Sequence, residues 1–206
     1  MVLVIDGTVG CGKSTLGKLL EHRLGIKLCE ELSNTDTTEL LDRFYRDQER
    51  WSFALQIHFL NERFRMIKDI HKAGKGLLDR SIFGDRIFAE MLNEDGMMLD
   101  EEYRTYSTLL DSMLEHVKPP SVMVYLECST ETAIKRINKR NRGEECSVPH
   151  EYWERLNTKY DKWFEEYDLS PKICINVDNL DLMVESEREI ILKRIENKLK
   201  ELKYIK

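Results

Sequence analysis

Five short apolar runs alternate with longer amphipathic stretches along the chain. The runs cover residues 2–5, 26–29, 76–78, 121–126 and 173–177. Runs of this length, bounded by polar residues, are typical of strands that are buried on both faces of a parallel sheet. Because helical stretches separate the runs, the pattern predicts an α/β fold built around a five-stranded parallel sheet.

The stretches between the predicted strands carry apolar side chains at helical spacing. Helices are predicted over residues 14–24, 101–116, 130–141, 150–167 and 187–203, with two more inside 37–72 and another that begins at Asp85. In open α/β sheets, ligands bind outside the carboxyl ends of the strands. The candidate functional residues are therefore those that directly follow each apolar run.

Composition narrows the class of protein. The 206 residues contain no linker or repeat, so a single domain over residues 1–206 is expected. A net charge of −6 gives no general attraction to nucleic acid or to an anionic membrane, and neither is expected as a partner. Five scattered cysteines without a Cys-x-x-Cys pair indicate reduced thiols, hence a cytoplasmic location.

The segment after the first run fits the phosphate-binding pattern G-x-x-x-x-G-K-[ST], with a predicted strand before it and a helix after it. Glycines let the backbone curl around phosphate oxygens and direct its N–H groups inward, at a helix N-terminus. Lys13 can reach the β- and γ-phosphates, and the Ser14 hydroxyl can join a Mg²⁺ shell. The predicted ATP-binding segment is Gly7, Thr8, Val9, Gly10, Cys11, Gly12, Lys13, Ser14 and Thr15. Phosphate binding alone does not separate kinases from ATPases or nucleotide switches.

Charged residues follow the second and third runs. Glu30 comes after the second run, and Asp79 and Arg80 come after the third. Phosphoryl transfer requires an oriented hydroxyl, a metal, and positive charge on the transferred group. One carboxylate can accept the hydroxyl proton and another can complete the metal shell. For Glu30 the alternative, an exposed acidic residue at a helix end, is equally open.

An arginine-rich segment follows the fourth run. Arg136 and Arg140 are four residues apart and so lie on one helix face, and Arg142 follows. Arginines on a mobile segment can close over ATP and stabilise charge in the transition state. We therefore predict an arginine-rich lid at about 136–148, with a solvated basic face as the alternative.

Together these motifs resemble the deoxynucleoside kinases, and most of all the branch with deoxycytidine, deoxyguanosine and bacterial deoxyadenosine kinases. The resemblance runs from residue 1 to about 167. It implies a P-loop kinase fold, ATP and Mg²⁺ as cofactors, and phosphorylation of a deoxynucleoside 5′-hydroxyl in nucleotide salvage. The motifs are 7–14, Glu30, Arg50-Trp51-Ser52-Phe53, Gln56, Asp79-Arg80-Ser81, Asp85-Arg86, and Arg136, Arg140, Arg142, Glu144 and Glu145.

The resemblance also implies a role for each matching residue. Glu30 or Asp79 would be the general base, and Asp79 would lie near Mg²⁺. Arg80 would steady the 5′-oxygen and the transferred phosphate. Tyr45 and Glu145 would bond the sugar 3′-hydroxyl, Gln56 would pair with the base, and Arg136, Arg140 and Arg142 would form the lid. The chain departs from the family pattern at two positions: it has Glu31 where the family usually has proline, and Asp79 where many relatives have glutamate. Neither departure removes a required functional group.

The choice of nucleoside depends on two further positions. Gln56 and Arg63 are two helical turns apart and share a face, and Asp85 begins the next helix. In the resembled family, arginine and aspartate at these positions mark purine and cytosine kinases. Deoxyadenosine is therefore the first choice, followed by deoxyguanosine and deoxycytidine; a surface salt bridge is the alternative.

Two rival functions share the phosphate-binding segment. A nucleoside monophosphate kinase of the thymidylate-kinase type would need extra basic residues for the acceptor's phosphate, whereas Tyr45, Gln56 and Glu145 are uncharged or acidic. A non-catalytic nucleotide sensor would leave Gln56, Arg63 and Asp85 without a purpose. Because related kinases are commonly homodimers through helices like 51–71 and 101–116, a homodimer is expected.

Overall fold

The computed structural model describes residues 1–30, 35–141 and 143–206. The elements in chain order are β1 (Val2–Asp6), α1 (Lys13–Leu24), β2 (Leu28–Cys29), α2 (Thr35–Arg46), α3 (Gln48–Ala73), β3 (Gly76–Asp79), a 3₁₀ turn (Ile82–Gly84), α4 (Arg86–Glu94), α5 (Asp100–Leu114), β4 (Val122–Glu127), α6 (Thr130–Arg140), a second 3₁₀ turn (Gly143–Ser147), α7 (His150–Glu166), β5 (Lys172–Asn176) and α8 (Glu185–Glu201). No helix within these ranges is long and apolar enough to cross a membrane.

All five strands form one parallel sheet in the order β2-β3-β1-β4-β5. β1 is central: Val2 lies opposite Gly76 of β3, and Leu3 lies opposite Val122 of β4. Every strand pairing is parallel, so each connection must cross over the sheet, which the helices do. The prediction of a five-stranded parallel sheet flanked by helices is confirmed.

The sheet separates two hydrophobic cores because successive side chains of a strand point to opposite faces. In β1, Val2 and Val4 belong to one core and Leu3 and Ile5 to the other. The first core is completed mainly by α3, α4, α5 and α7, and the second mainly by α1 and α8. All four of these β1 side chains are at most 3% exposed, which explains why the strand reads as a continuous apolar run.

The long predicted stretch 37–72 forms two helices, α2 and α3, as the sequence indicated. The break falls at Asp47, whose side chain accepts a hydrogen bond of 3.1 Å from the backbone N–H of Arg50. Aspartate is among the preferred residues at this position because its oxygen satisfies a backbone donor at the start of a helix. This cap lets α3 begin with only Asp47 between it and the end of α2.

Candidate active site

The segment between β1 and α1 wraps closely against neighbouring backbone. Gly7 and Gly10 have φ values of 141° and 83°, and a Cβ atom on them would lie 2.5 Å from the Leu126 oxygen and 2.6 Å from the Ala133 oxygen. Only glycine fits there without strain. Val9, Gly10, Gly12, Lys13, Ser14 and Thr15 line a cleft, whereas Gly7, Thr8 and Cys11 are buried and do not line it.

Lys13 is held by the loop that it follows. Its Nζ donates to the backbone oxygens of Gly7 at 3.0 Å and Thr8 at 2.7 Å, and its side chain is buried. Carbonyl partners fix the position of the ammonium group without neutralising its charge. The arrangement therefore places a fixed positive charge at the mouth of the loop, where it can meet a phosphate.

Ser14 and Asp79 form the candidate metal site. The Ser14 hydroxyl donates to Oδ2 of Asp79 at 2.5 Å. The other carboxylate oxygen of Asp79 is buried and has no hydrogen-bond partner in the part of the chain that the structure describes. Oxygen ligands of this kind suit Mg²⁺, which is usually held by one or two protein oxygens together with substrate phosphates. No group of three or more His, Cys, Asp or Glu side chains that could hold a metal ion occurs among the described residues.

Arg80 follows β3 in a backbone conformation that is rare for its residue type, with φ of 70°. Its guanidinium carbon lies 5.0 Å from the ring centre of Phe88 and 5.5 Å from that of Tyr160, and it donates to the Tyr160 hydroxyl. The side chain is buried yet lines the cleft. Two aromatic rings thus hold a cation beside Lys13 and Asp79.

Asp6 connects the phosphate-binding loop to the end of β3, and the sequence interpretation did not assign it a role. Its Oδ1 accepts the Gly7 N–H at 2.9 Å, and its Oδ2 accepts the Ser81 hydroxyl at 3.2 Å. Burial raises the pKa of Asp6, and the charges of Arg80 and Lys13 lower it. The available signal was an aspartate that ends an apolar run directly before the first loop glycine.

Glu30 lies just beyond the carboxyl end of β2 and lines the same cleft. Its carboxylate forms an ion pair of 3.2 Å with Lys18, and its side chain is 43% exposed. The residue therefore lies beside the loop with a partly exposed carboxylate. This position suits contact with a bound hydroxyl, and the role as base stays a prediction.

One face of α3 forms the far wall of the cleft. Gln56, Phe59 and Arg63 all line it, and the guanidinium carbon of Arg63 lies 4.8 Å from the ring centre of Phe59. Arg63 forms an ion pair with Asp85, and both side chains are almost fully buried. Asp85 does not line the cleft itself, and it acts on that wall through Arg63. The sequence interpretation missed Phe59, although the spacing 56, 59, 63 places it on the same face.

The two walls enclose one cleft of about 1430 Å³. That volume exceeds the roughly 300–1,000 Å³ of a pocket for one small ligand, so the cleft has room for two substrates. Its lining includes Lys13, Glu30, Gln56, Arg63, Asp79 and Arg80, together with Tyr45 and Glu145. The structure therefore brings together the groups that phosphoryl transfer to a neutral acceptor requires.

Two of the three arginines predicted to face ATP have hydrogen-bond partners within the protein. Arg136 donates to the backbone oxygens of Cys11 at 3.1 Å, Val177 at 2.7 Å and Leu180 at 3.1 Å. Arg140 forms an ion pair with Glu145, whose side chain is nearly buried. Both arginines line the cleft, and Arg142 lies outside the described residues. Arg136 therefore ties the phosphate-binding loop to the segment after β5.

Comparison with known proteins decides between the remaining functions. A sequence model described as deoxynucleoside kinase matches residues 3–200. The chain belongs to the deoxynucleoside kinase family. It is an enzyme that phosphorylates a deoxynucleoside. Membership of this family favours that function over those of a nucleoside monophosphate kinase or a nucleotide sensor.

Relatives in the family cover nearly the whole chain. A deoxyadenosine/deoxycytidine kinase of Bacillus subtilis is 40% identical over 186 residues, which are 88% of this chain and 85% of the relative. A deoxyguanosine kinase of Lactobacillus acidophilus is 39% identical over 211 residues, 98% and 92% of the two chains. The structure of a deoxyadenosine kinase from M. mycoides with bound dATP has a TM-score of 0.80 and 30% identity, and the match covers 95% of this chain and 100% of the other.

Proposed function

We propose that this kinase transfers the γ-phosphoryl group of ATP to the 5′-hydroxyl of deoxyadenosine, with Mg²⁺, and forms the 5′-monophosphate. Deoxyguanosine and deoxycytidine are the next acceptors in order. The observation that carries the proposal is the buried Arg63–Asp85 pair beside Gln56 on the wall of the cleft. A phosphate-binding loop alone would not need this polar wall.

On the donor side, the loop N–H groups and Lys13 bind the phosphates of ATP. Ser14 and Asp79 would hold Mg²⁺, which neutralises charge on the β- and γ-phosphates. Arg140 and Arg142 belong to the proposed lid at about 136–148, and Arg136 anchors that lid to the loop through Cys11. Arg80, held between two rings, steadies the transferred group.

Of the two candidate bases, Glu30 is the better placed. Asp79 already accepts a hydrogen bond from Ser14 and is buried at the metal site. Among the described residues Glu30 forms an exposed ion pair with Lys18, so it can turn toward the 5′-hydroxyl and accept its proton. We assign the base to Glu30 and the metal contact to Asp79.

On the acceptor side, the amide of Gln56 offers one donor and one acceptor to the base edge. Arg63 adds fixed donors beside it, and Phe59 and Phe88 supply apolar walls. A polar buried site rejects a base that leaves its groups unpaired, by large factors. Tyr45 and Glu145 bond the sugar 3′-hydroxyl, and Arg140 holds the Glu145 carboxylate in place.

The proposal also covers the location, the role in metabolism, the domain and the oligomeric state. The protein works in the cytoplasm, in nucleotide salvage, and forms one domain over residues 1–206. It assembles as a homodimer through α3 and α5. The two helices pack on each other in one core, and Leu109 of α5 is 36% exposed. Gel filtration should give twice the 24.4 kDa of the single chain; elution at the monomer mass would refute the dimer.

One assay tests the main proposal. The protein is incubated with ATP·Mg²⁺ and each of the four common deoxynucleosides in turn, and the 5′-monophosphates are quantified. Deoxyadenosine should give the highest kcat/KM, and product from none of the four would reject the function. The deoxynucleoside monophosphates serve as a control, because conversion of these alone would indicate a monophosphate kinase.

A pair of variants separates the two carboxylates. Glu30→Gln should lose on the order of 10²-fold or more in kcat while ATP binding is kept. Asp79→Asn should instead raise the Mg²⁺ concentration needed for half-maximal rate, because it removes charge from the metal site. If Glu30→Gln changes only the Mg²⁺ requirement, the two assignments must be exchanged.

A further inference from the structure

Tyr106, in the middle of α5, has a buried hydroxyl that none of the described residues satisfies. The side chain is 0% exposed, and its oxygen has no hydrogen-bond partner anywhere in the described ranges. Unsatisfied buried polar groups are few in native proteins, because each loses its bonds to water without replacement. The position would accept phenylalanine on packing grounds alone, so the oxygen itself calls for an explanation.

The surroundings of Tyr106 point to the base-reading wall of the cleft. Its ring belongs to the core shared by α3, α4 and α5. Arg63 lies on α3, and Asp85 immediately precedes α4. Helix α5 packs against both α3 and α4, and Asp85 and Arg63 are close enough to the Tyr106 hydroxyl to affect its pKa in opposite directions.

The hydroxyl of Tyr106 is a neutral donor at physiological pH. Burial raises its pKa, and the carboxylate of Asp85 raises it further, whereas Arg63 and Arg86 lower it. An ionised carboxylate has room for several hydrogen bonds in addition to one from a guanidinium group. A neutral donor can therefore join the pair without competing for its charge.

We propose that Tyr106 is a positioning residue for nucleoside recognition: its hydroxyl donates to the Asp85 carboxylate when a base is bound, and so fixes the direction of the Arg63 guanidinium. The inference rests on the proposed role of Arg63 and Asp85 in reading the base. Tyr106 itself lies behind the pair and does not line the cleft. Tyr106 lies on α5 and acts on the base through the side chains of Asp85 and Arg63.

The variant Tyr106→Phe tests this inference, since it removes one oxygen and keeps the ring. Relative to the native chain, kcat/KM for deoxyadenosine should fall about tenfold, mainly through a higher KM, because the bond lost is one to a charged group. The KM for ATP and the kcat/KM for thymidine should not change. The discrimination between the two nucleosides should thus fall by the same factor of about ten.

Three outcomes contradict the inference. Unchanged discrimination with a higher Tm would mean that the hydroxyl is only an unsatisfied group in the core. An equal loss with all nucleosides would mean a general structural role. A native chain that phosphorylates no nucleoside would refute the proposed function itself, and that failure is visible before any variant is made.

Two matched variants complete the design. Tyr103→Phe removes a half-buried hydroxyl one turn earlier on α5 and should leave discrimination unchanged. In an Asp85→Asn background, Tyr106→Phe should cause little further loss, because the partner of the hydroxyl has already been altered. If Asp85→Asn does not fold, calorimetric titration of deoxyadenosine into Tyr106→Phe without ATP should still show affinity about tenfold weaker; equal affinity would overturn the inference.

Discussion

The donor and acceptor halves of the cleft are built in different ways. The proposed phosphate-binding part of the donor half is one continuous segment, residues 7–15, with glycine-rich backbone around Lys13. The acceptor half is made of side chains: Gln56 and Arg63 on α3, and Asp85 from before α4. Phosphates are the same in every nucleotide, so fixed backbone serves them, whereas bases differ and require side chains. Changes in the donor half should therefore affect all nucleosides equally, and changes in the acceptor half should alter their ranking.

The largest effect is expected for Lys13→Met. The ammonium group held by the Gly7 and Thr8 oxygens is the fixed charge that we propose faces the transferred phosphate, so kcat should fall by about 10³-fold. Steady-state rates with four deoxynucleosides should show the same relative loss for each. A changed ranking would mean that the two halves are not separate.

The next effect concerns the buried ion pair. Arg63→Met leaves the Asp85 charge without its partner in the core and should lower the free energy of unfolding by about 3–5 kcal/mol. The double variant Arg63→Met/Asp85→Leu should recover most of that stability, since apolar replacement of a buried pair is often neutral. Denaturant titration measures this recovery.

The same double variant tests discrimination apart from folding. Its kcat/KM for deoxyadenosine should fall by about 10²-fold, within the range that a missing polar partner causes, while that for thymidine stays the same. Native-like stability together with native ranking would show that the pair only stabilises the fold.

A smaller effect is expected for Gly10→Ala, with Gly25→Ala as its control. Both glycines have positive φ, 83° and 60°, but a Cβ on Gly10 would lie 2.6 Å from the Ala133 oxygen, while nothing lies within 4 Å of one on Gly25. Gly25→Ala should cost about 1–2 kcal/mol for the backbone alone. Gly10→Ala should cost more and weaken ATP binding for every acceptor; equal Tm values for the two variants would contradict the close approach.

The smallest effect is expected for Tyr45→Phe. If the Tyr45 hydroxyl bonds the sugar 3′-hydroxyl, its loss removes one neutral hydrogen bond, or about fivefold in kcat/KM for deoxyadenosine. With 2′,3′-dideoxyadenosine, which lacks that hydroxyl, the variant and the native chain should have the same kcat/KM. A fivefold loss of kcat/KM with both acceptors would show that the Tyr45 hydroxyl does not act through the sugar 3′-hydroxyl.

Much of the fold was predictable because buried strands and amphipathic helices leave periodic patterns in the sequence. The second strand was wrong at its start: residues 26–29 were predicted, and β2 spans Leu28–Cys29, although the Lys27 oxygen also accepts a hydrogen bond from the Leu77 N–H. β2 lies at the edge of the sheet, with β3 as its single neighbour. The Leu28 N–H bonds the Glu21 carboxylate at 2.7 Å, which no pattern of apolar residues indicates.

The parts of the site that are contiguous in the sequence were easier to predict than the parts formed by residues far apart in the chain. The phosphate-binding loop is contiguous, so spacing alone identified it. Asp6 accepts a hydrogen bond from Ser81, which is 75 residues away. Arg140 forms an ion pair with Glu145. Such pairings depend on the packing of separate elements, and only the three-dimensional structure shows them.

Arg80 carries a consequence for attempts to engineer this enzyme. Its left-handed backbone costs a residue with a side chain about 1–2 kcal/mol, and glycine would avoid that cost. A library varied at position 80 and screened for heat resistance alone should therefore enrich glycine and asparagine, with turnover declining as the melting temperature rises. If Arg80 steadies the transferred phosphate as proposed, thermal robustness and reaction rate place opposite demands on this one amino acid, so a screen must score both.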